Sequence, residues 1–429
     1  MKGSAFNIFH TDTDGKLLVF NACSRRFFRF SEKNSQRFRE VLDNINQYAA
    51  VPAYAELCAM LRDNGFVIDD DKSEYNLLSK SYDTYRNESA YTLLILTTYT
   101  CNFSCWYCVQ RHKDVALTVD TEEKIKAHIS HYLHDNNISS FNLSWFGGEP
   151  LLNFDSISRI SSFAADYCRD NGVEYVSSIT TNGSLLTPDM INKMSKLGFR
   201  SFQITIDGNK HRHNATRCNA TISDSFSLIL HNIYTLCGAI PEANVIVRIN
   251  YTKDNLDHSM VEQIDSILSS FCNRVRVMFR KVWQEDFSDE LSAKVGTIME
   301  DMTRRGYNVI HDFDDPSPCY VEKVHYHAIF PDGTVDRCSN VDMSQTRGML
   351  LSDGTIRWKL RPQECDYNVF TSESECRRCK YLPLCFGPCP KRRMFGGNNN
   401  GSIRCQYKDK DSIFASEIKN YVRIKEAAI

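Results

Sequence analysis

The sequence predicts an α/β protein centred on a partial barrel of six strand–helix units, (βα)6, with a small winged-helix-like domain before it and a cysteine-rich domain after it. Three observations carry that expectation. From residue 91, six short apolar segments alternate with helical patterns; before it, strand signals precede helix signals; after about residue 306 the periodicity fails while cysteine, glycine and proline rise. Boundaries at 1–90, 91–306 and 307–429 follow, and 429 residues exceed what one core usually serves.

Hydrophobic residues at 42% and charged residues at 24% are the proportions of an ordinary globular chain. A net charge of −2 leaves no field to draw in nucleic acid or an anionic membrane, so neither is expected as a partner. No apolar run reaches the roughly 18 residues of a membrane span. MKGSAFNIFHTDTDGK meets Asp and Gly too early for a secretory signal, so a cytoplasmic location is expected. In that reducing compartment, 17 cysteines point to metal before disulfides.

At the N-terminus, Asp14-Gly15 between FNIFHT and KLLVFN is a hairpin signal, and FFRF supplies a third strand. Ser31 is placed to cap an amphipathic helix, Pro52 to open a helical turn, and Gly65 to end that helix before a short FVID strand. An acidic run, Asp69-Asp70-Asp71, and a polar helix, EYNLLSKSYDTYRN, link this unit to the rest. The barrel strands are LLILTTY, FNLSWF, VEYVSSIT, RSFQITI, NVIVRINY and RVRVMFR; TEEKIKAHISHYLHD, DSISRISSFAADYCRD and SMVEQIDSILSSF are helical between them. Such alternation gives a parallel sheet with helices outside, and chemistry at the carboxyl ends of the strands. GGNNNG at 396–401 is a loop.

The first barrel strand runs into Cys101-Asn-Phe-Ser-Cys105-Trp-Tyr-Cys108. Three thiolates on one loop suit three irons of a [4Fe–4S] cube and leave the fourth iron without a protein ligand. A zinc site short of one ligand, or three buried cysteines, is the plainer alternative. CNFSCWYC resembles the CxxxCxxC signature of the radical S-adenosylmethionine (SAM) superfamily. WFGGEP, with Gly147, Gly148 and Glu149, ends the second strand as the family's glycine-glycine-glutamate motif does, and the resemblance implies that this turn holds the amino group of SAM. TTNG at 180–183, containing Asn182, ends the third strand, and QITIDG at 203–208 the fourth. The resemblance implies SAM contacts at Asn182, at Thr205 and at Arg248, the last two toward the cofactor's carboxylate. His213, Asn214 and Arg217 stand where many relatives carry His-Asp and Arg, so Asn214 departs from the pattern.

The late cysteines, Cys319, Cys338, Cys376, Cys379, Cys385, Cys389 and Cys405, resemble in order and spacing those of the SPASM domain. The resemblance implies one auxiliary cluster on Cys376, Cys379, Cys385 and Cys405, and a second on Cys319, Cys338 and Cys389 that is open or completed by Cys365 or by substrate. With the first cluster that makes three [4Fe–4S] clusters. A zinc ribbon is the competing reading of the CRRC pair. Cys23, Cys58, Cys168, Cys218, Cys237 and Cys272 lack partner spacing and are expected to be small buried hydrophobes.

Enzymes with this plan mostly modify peptides or proteins. The resemblance implies reductive cleavage of SAM, with a flavodoxin- or ferredoxin-type protein as electron donor, and hydrogen abstraction from the substrate. The expected function is maturation of a ribosomally synthesised precursor peptide by a thioether or carbon–carbon cross-link, its leader gripped as an added strand by the N-terminal domain. An anaerobic sulfatase maturase making formylglycine is the alternative. In that family an Asp acting as base follows the cysteine matching Cys338, whereas Ser339 follows here. A non-catalytic multi-cluster scaffold is the alternative of another class. No general acid or base is legible.

Overall fold

A computed structural model describes residues 1–11, 15–110, 112–360, 368–370, 374–395, 403 and 405–428. The expectations at Asp14, at Cys365 and at 396–401 therefore lie outside the described residues. The chain divides into two compact units: Met1–Arg86 with Asp312–Glu322 and Asp366–Val422, and Asn87–His311 with Lys323–Cys365 and Arg423–Ile429. The segment 307–429, expected as one C-terminal domain, is shared between them.

The first unit begins with β1 (Lys2–Gly3), β2 (Asn7–Thr11), β3 (Leu17–Asn21), β4 (Phe27–Phe30), α1 (Glu32–Asp43), α2 (Ile45–Ala49), α3 (Ala55–Asp63), β5 (Val67–Ile68) and α4 (Glu74–Arg86). β2, β3 and β4 form an antiparallel sheet, with Thr11 opposite Leu17 across the expected hairpin. Gly15 has φ 78°, a left-handed conformation that glycine adopts without steric cost. β3 is buried along its length because its two faces enter different cores. Leu17 and Val19 pack with Phe38, Val41 and Leu61 of α1 and α3, whereas Leu18 and Phe20 pack with Phe313, Leu384, Phe414 and Tyr421 from the C-terminal segments. A period of two delivers alternate residues to opposite faces, so a strand covered on both sides reads as an unbroken apolar run. Ser31 stands at the N-cap of α1 with extended backbone, but its side chain makes no capping bond.

The second unit contains β6 (Ala90–Leu96), α5 (Val119–Asp135), β7 (Ser140–Phe146), α6 (Phe154–Asn171), β8 (Glu174–Thr181), α7 (Pro188–Lys196), β9 (Phe199–Ile206), α8 (Lys210–Thr216), α9 (Ser225–Ala239), β10 (Asn244–Tyr251), α10 (Ser259–Leu268), β11 (Val275–Lys281) and α11 (Asp289–Arg304). β6 to β11 lie side by side in chain order, all parallel, which is single winding as in a barrel. Two short strands extend the parallel run: β12 (Asn308–Ile310) on β11, and β13 (Tyr326–Ile329) on β6. From β13 the sheet continues antiparallel through β14 (Thr334–Asp336), β15 (Gly348–Leu350) and β16 (Ile356–Trp358).

Along these strands one face is apolar and packs on the helices: Phe141, Leu143 and Trp145 of β7 share a core with Ile125, Ile129, Ile157 and Ile160. The other face is half-buried and carries polar groups, with Asn142, Ser144, Ser178, Thr180, Gln203 and Arg248 on four strands. Ser178 Oγ donates to Asn142 Oδ1 at 3.1 Å, and Gln203 Nε2 to Thr180 Oγ1 at 3.4 Å. The barrel interior is therefore a mixed surface, these polar groups interspersed with half-buried Leu94, Val176, Ile246 and Met278.

The C-terminal helices are α12 (Leu382–Cys385), α13 (Pro390–Phe395) and α14 (Lys410–Ala427).

Candidate active site

Beyond β6 the chain continues through Thr97–Thr100, held by a bridge between Thr98 and Ala116 and by Thr98 Oγ1 donating to Val115 O at 3.0 Å. It then turns into the three-cysteine loop. Cys101 and Cys105 are half-buried and Cys108 is exposed. Cys101 Sγ accepts the Phe103 N–H at 3.4 Å, and Cys108 N donates to Cys105 O at 3.1 Å. Burial pushes the Cys105 thiol up to about 11 and moves Cys101 in the same direction. A metal that binds thiolates would displace those protons on loading. Three soft thiols on one loop at the carboxyl end of the first barrel strand fit an iron–sulfur group.

The glycine-glycine-glutamate turn packs directly under this loop. Gly148 N donates to Thr98 O and Glu149 N to Thr100 O, each at 2.9 Å. A β-carbon on Gly148 would lie 2.3 Å from Thr100 O, and one on Gly147, whose φ is 143°, 2.4 Å from Thr98 O. Both glycines are needed because two backbones touch. Glu149 is fully buried, and its carboxylate accepts from Leu151 N at 3.0 Å, Thr181 Oγ1 at 2.7 Å and Asn182 N at 2.7 Å. Its side chain thus binds the end of β8 to the end of β7.

Asn182 serves the cysteine loop in turn. Its Nδ2 donates to Asn102 Oδ1 at 2.7 Å and lies 4.0 Å from Cys101 Sγ. Thr205 is buried on β9 directly opposite Arg248 of β10, so these two expected contacts are neighbours in register. Arg248 Nε donates to Asn250 Oδ1 at 2.8 Å. Of the residues after β9, His213 Nδ1 accepts the Asp207 N–H at 3.1 Å. Asn214 Oδ1 accepts from Phe226 N and Ser225 Oγ, each at 3.0 Å, which fixes the start of α9.

A polar network that sequence reasoning missed joins these parts. The Tyr107 hydroxyl donates to Asp207 Oδ2 at 2.6 Å, receives Arg217 Nη1 at 3.1 Å and Asn250 Nδ2 at 3.1 Å, and Arg217 Nη1 reaches Asp207 Oδ2 at 3.2 Å. Asp207 is fully buried and Arg217 nearly so. Burial pushes the Asp207 carboxyl up, and the Arg217 guanidinium and Tyr107 hydroxyl oppose that. The network ties the residue before Cys108 to β9 and β10. Its sequence signals were the aspartate inside QITIDG and Arg217, singled out separately, while Tyr107 and Asn250 carried none.

Cys338 follows β14 in the second unit. Ser339 is buried, and its carbonyl accepts Gln110 Nε2 of the cysteine loop at 3.5 Å. Asp336 takes Arg347 Nε at 3.0 Å and Nη2 at 2.9 Å, and also the Arg337 and Cys338 N–H groups. That carboxylate is structural.

In the first unit Cys376, Cys379, Cys385 and Cys405 line one small pocket with Tyr407, Phe414 and Gly387. The structure thus brings together the four cysteines assigned to one auxiliary cluster. Cys319 and Cys389 also belong to this unit, so their grouping with Cys338 rests on sequence order alone. Among the described residues no three His, Cys, Asp or Glu side chains converge on a point that would hold a single metal ion. Of the unassigned cysteines, Cys58, Cys168 and Cys237 are buried as expected, but Cys23 and Cys218 are exposed. The Cys218 carbonyl accepts Ser104 N of the cysteine loop at 2.9 Å.

Residues 95–264 match the family described as the Radical SAM superfamily. The chain carries a radical SAM domain. An uncharacterized protein of Methanocaldococcus jannaschii is 34% identical over 122 residues, 27% of this chain and 38% of its own length, well under half of that relative. The radical SAM cyclopropyl synthase TigE of Paramaledivibacter caminithermalis is 21% identical over 70% of this chain and 68% of its own. The serine-type anaerobic sulfatase-maturating enzyme of Bacteroides thetaiotaomicron is 22% identical over 68% of this chain and 81% of its own. Among solved structures, native anSMEcpe with bound AdoMet and Cp18Cys peptide matches with TM-score 0.56 at 17% identity, covering 79% of this chain and 96% of that one. Streptococcus suis SuiB bound to precursor peptide SuiA matches with TM-score 0.50 at 14% identity, covering 95% of this chain and all of that one. The α/β radical SAM fold predicted from the sequence is the fold observed. No helix among the described residues is long and apolar enough to cross a membrane.

Proposed function

We propose that the protein is a maturase that takes a ribosomally synthesised precursor peptide by its leader and installs a thioether or carbon–carbon cross-link. One observation carries the reading: the likeness to SuiB, a structure holding a precursor peptide, runs over 95% of this chain and so takes in most of the N-terminal sheet and helices. The likeness to anSMEcpe stops at 79%. Among the described residues β4 is paired on one side only, by β3, which leaves an edge that an extended leader can join.

In this reading Cys101, Cys105 and Cys108 hold the cluster that binds SAM, and the backbone of Gly147 and Gly148 with Asn182, Thr205 and Arg248 receive the cofactor. When bound, these groups supply a carbon radical able to take hydrogen from an unactivated carbon. The chain's own part is positioning. Tyr107, Asp207 and Arg217 fix the cysteine loop, Glu149 fixes two strand ends, and the polar groups of the inner face accommodate peptide backbone. Cys376, Cys379, Cys385 and Cys405 hold one auxiliary cluster, and Cys319, Cys338 and Cys389 a second. A flavodoxin- or ferredoxin-type protein supplies the electron.

A sulfatase maturase is the second reading, favoured by the higher TM-score of anSMEcpe. Ser339 stands where that family carries its base, and Asp336, two residues before Cys338, is bound bidentately to Arg347. The test is anaerobic turnover with SAM, reductant and a candidate precursor peptide that carries a leader. Release of 5′-deoxyadenosine with loss of two hydrogens per peptide cross-link is expected. Formylglycine in the product would select the second reading, and no 5′-deoxyadenosine from fully loaded protein would reject both.

A further inference from the structure

α4, the helix that leads out of the N-terminal sheet, touches both cysteine-bearing stretches of its unit. At its start, the Glu74 carboxylate accepts Ser4 Oγ at 2.5 Å and Ala5 N at 2.8 Å, tying the helix to the loop before β2. One residue on, the Tyr75 ring lies 5.3 Å from the Arg377 guanidinium, between Cys376 and Cys379. Two turns later Tyr82, 2% exposed, donates its hydroxyl to Glu322. Glu322 is also buried and is paired with Arg393, whose side chain is 6% exposed. Arg86 Nε donates to Glu322 O at 3.3 Å and stacks on Tyr82.

The positions of the two charges matter. Glu322 closes the turn that begins at Cys319, its N–H donating to Cys319 O at 2.9 Å. Arg393 closes the first turn of α13, its N–H donating to Cys389 O at 3.1 Å. Each cysteine is therefore one backbone hydrogen bond from one member of a single buried ion pair. A surface pair would contribute little, but a buried pair resists the loss of either partner, because the survivor keeps its charge without compensation.

We infer that the Glu322–Arg393 pair, braced by Tyr82, is a positioning clamp that sets the separation of Cys319 and Cys389 and so retains the iron–sulfur group these thiols help to hold. This rests on the assignment of Cys319 and Cys389 as cluster ligands. It also makes α4 the mechanical link between the N-terminal sheet and the cysteines.

The test uses full-length protein loaded with iron and sulfide without oxygen. Iron loss to a chelator is followed as resolved phases, with electron paramagnetic resonance of the reduced clusters alongside. A Cys319→Ala/Cys389→Ala variant identifies the phase belonging to those thiols; wild-type iron content in that variant would remove the ligand assignment and the clamp with it. If the phase exists, Glu322→Gln is expected to accelerate it by on the order of tenfold or more, with an altered resonance signal and the phase of Cys101, Cys105 and Cys108 unchanged. Tyr82→Phe, which keeps the ion pair, should give a smaller acceleration, and Arg393→Lys should restore most of the wild-type rate relative to Arg393→Ala. Wild-type kinetics and signal in a folded Glu322→Gln variant would overturn the clamp. Should that variant fail to fold, wild-type rates in both Tyr82→Phe and Arg393→Ala would overturn it equally.

Discussion

Asp207 carries the largest electrostatic stake at the site, because its fully buried carboxylate is shared between the Arg217 guanidinium and the Tyr107 hydroxyl. Asp207→Asn leaves Arg217 charged and enclosed, so a loss of about 3–5 kcal/mol is expected in urea unfolding of the iron-free protein. Tyr107→Phe removes hydrogen bonds without stranding a charge and should cost about 1 kcal/mol. Equal losses for the two variants would mean that the ion pair is not what organises the network. Glu149 differs in kind. Its three accepted bonds come from neutral donors at two strand ends, so it acts as a joint inside the protein.

Where elements meet, two devices carry predictions. The first is the turn after β7. Gly148→Ala drives a methyl against the Thr100 carbonyl, a contact with backbone that no side-chain rotation relieves. The cysteine loop must then shift, and the expected result is folded protein that has lost SAM affinity, measured by equilibrium dialysis on loaded enzyme. Undiminished affinity would show that the turn does not form the binding surface.

The second device is a ring cluster that joins β6, α5 and β13. Tyr91 OH contacts His128 Nε2 at 2.9 Å and His327 Nδ1 at 3.1 Å, and His128 Nδ1 donates to Gly354 O at 2.7 Å. Burial lowers His128 from 6.5 to about 4 and moves His327 the same way. Between pH 6.5 and 4 the unfolded chain therefore binds more protons than the folded one. Stability rises with pH across that window and is lost as pH falls through it, by roughly 3 kcal/mol from His128. Thermal melts from pH 7 to 4.5 check the sign, and His128→Gln should flatten the dependence.

For the molecule as a whole, the partition of the chain matters most. Phe6, Ile8, Leu18, Phe20 and Ala22 of the N-terminal strands share one core with Tyr381, Leu384, Phe414, Ile418 and Val422, the segments that flank Cys379, Cys385 and Cys405. Deleting residues 1–85 is thus expected to strip iron from the C-terminal cysteines as well as to abolish peptide processing. A truncated chain that keeps its full iron per protein would show the two halves to be independent. Leader recognition is better probed by point changes on β4 than by truncation.

The linear sequence specified every element whose signal is local. The six barrel strands, the hairpin before β3, the cysteine loop and the glycine turn were legible because periodicity, turn residues and ligand spacing are written within a few residues. Three-dimensional packing alone chose the partners of these elements. β3 reads as a plain apolar run whether its second face meets its own helices or residues nearly 400 positions away. Tyr107, Asp207, Asn250 and Arg217 are spread over four segments, and nothing local marks them as one network. β13 lies beside β6 although more than 200 residues separate them, and its four residues carry too little pattern to announce a strand. Hydrophobic burial and hydrogen-bond satisfaction are non-local demands: they constrain which surfaces must be covered but leave the covering segment to be found by folding.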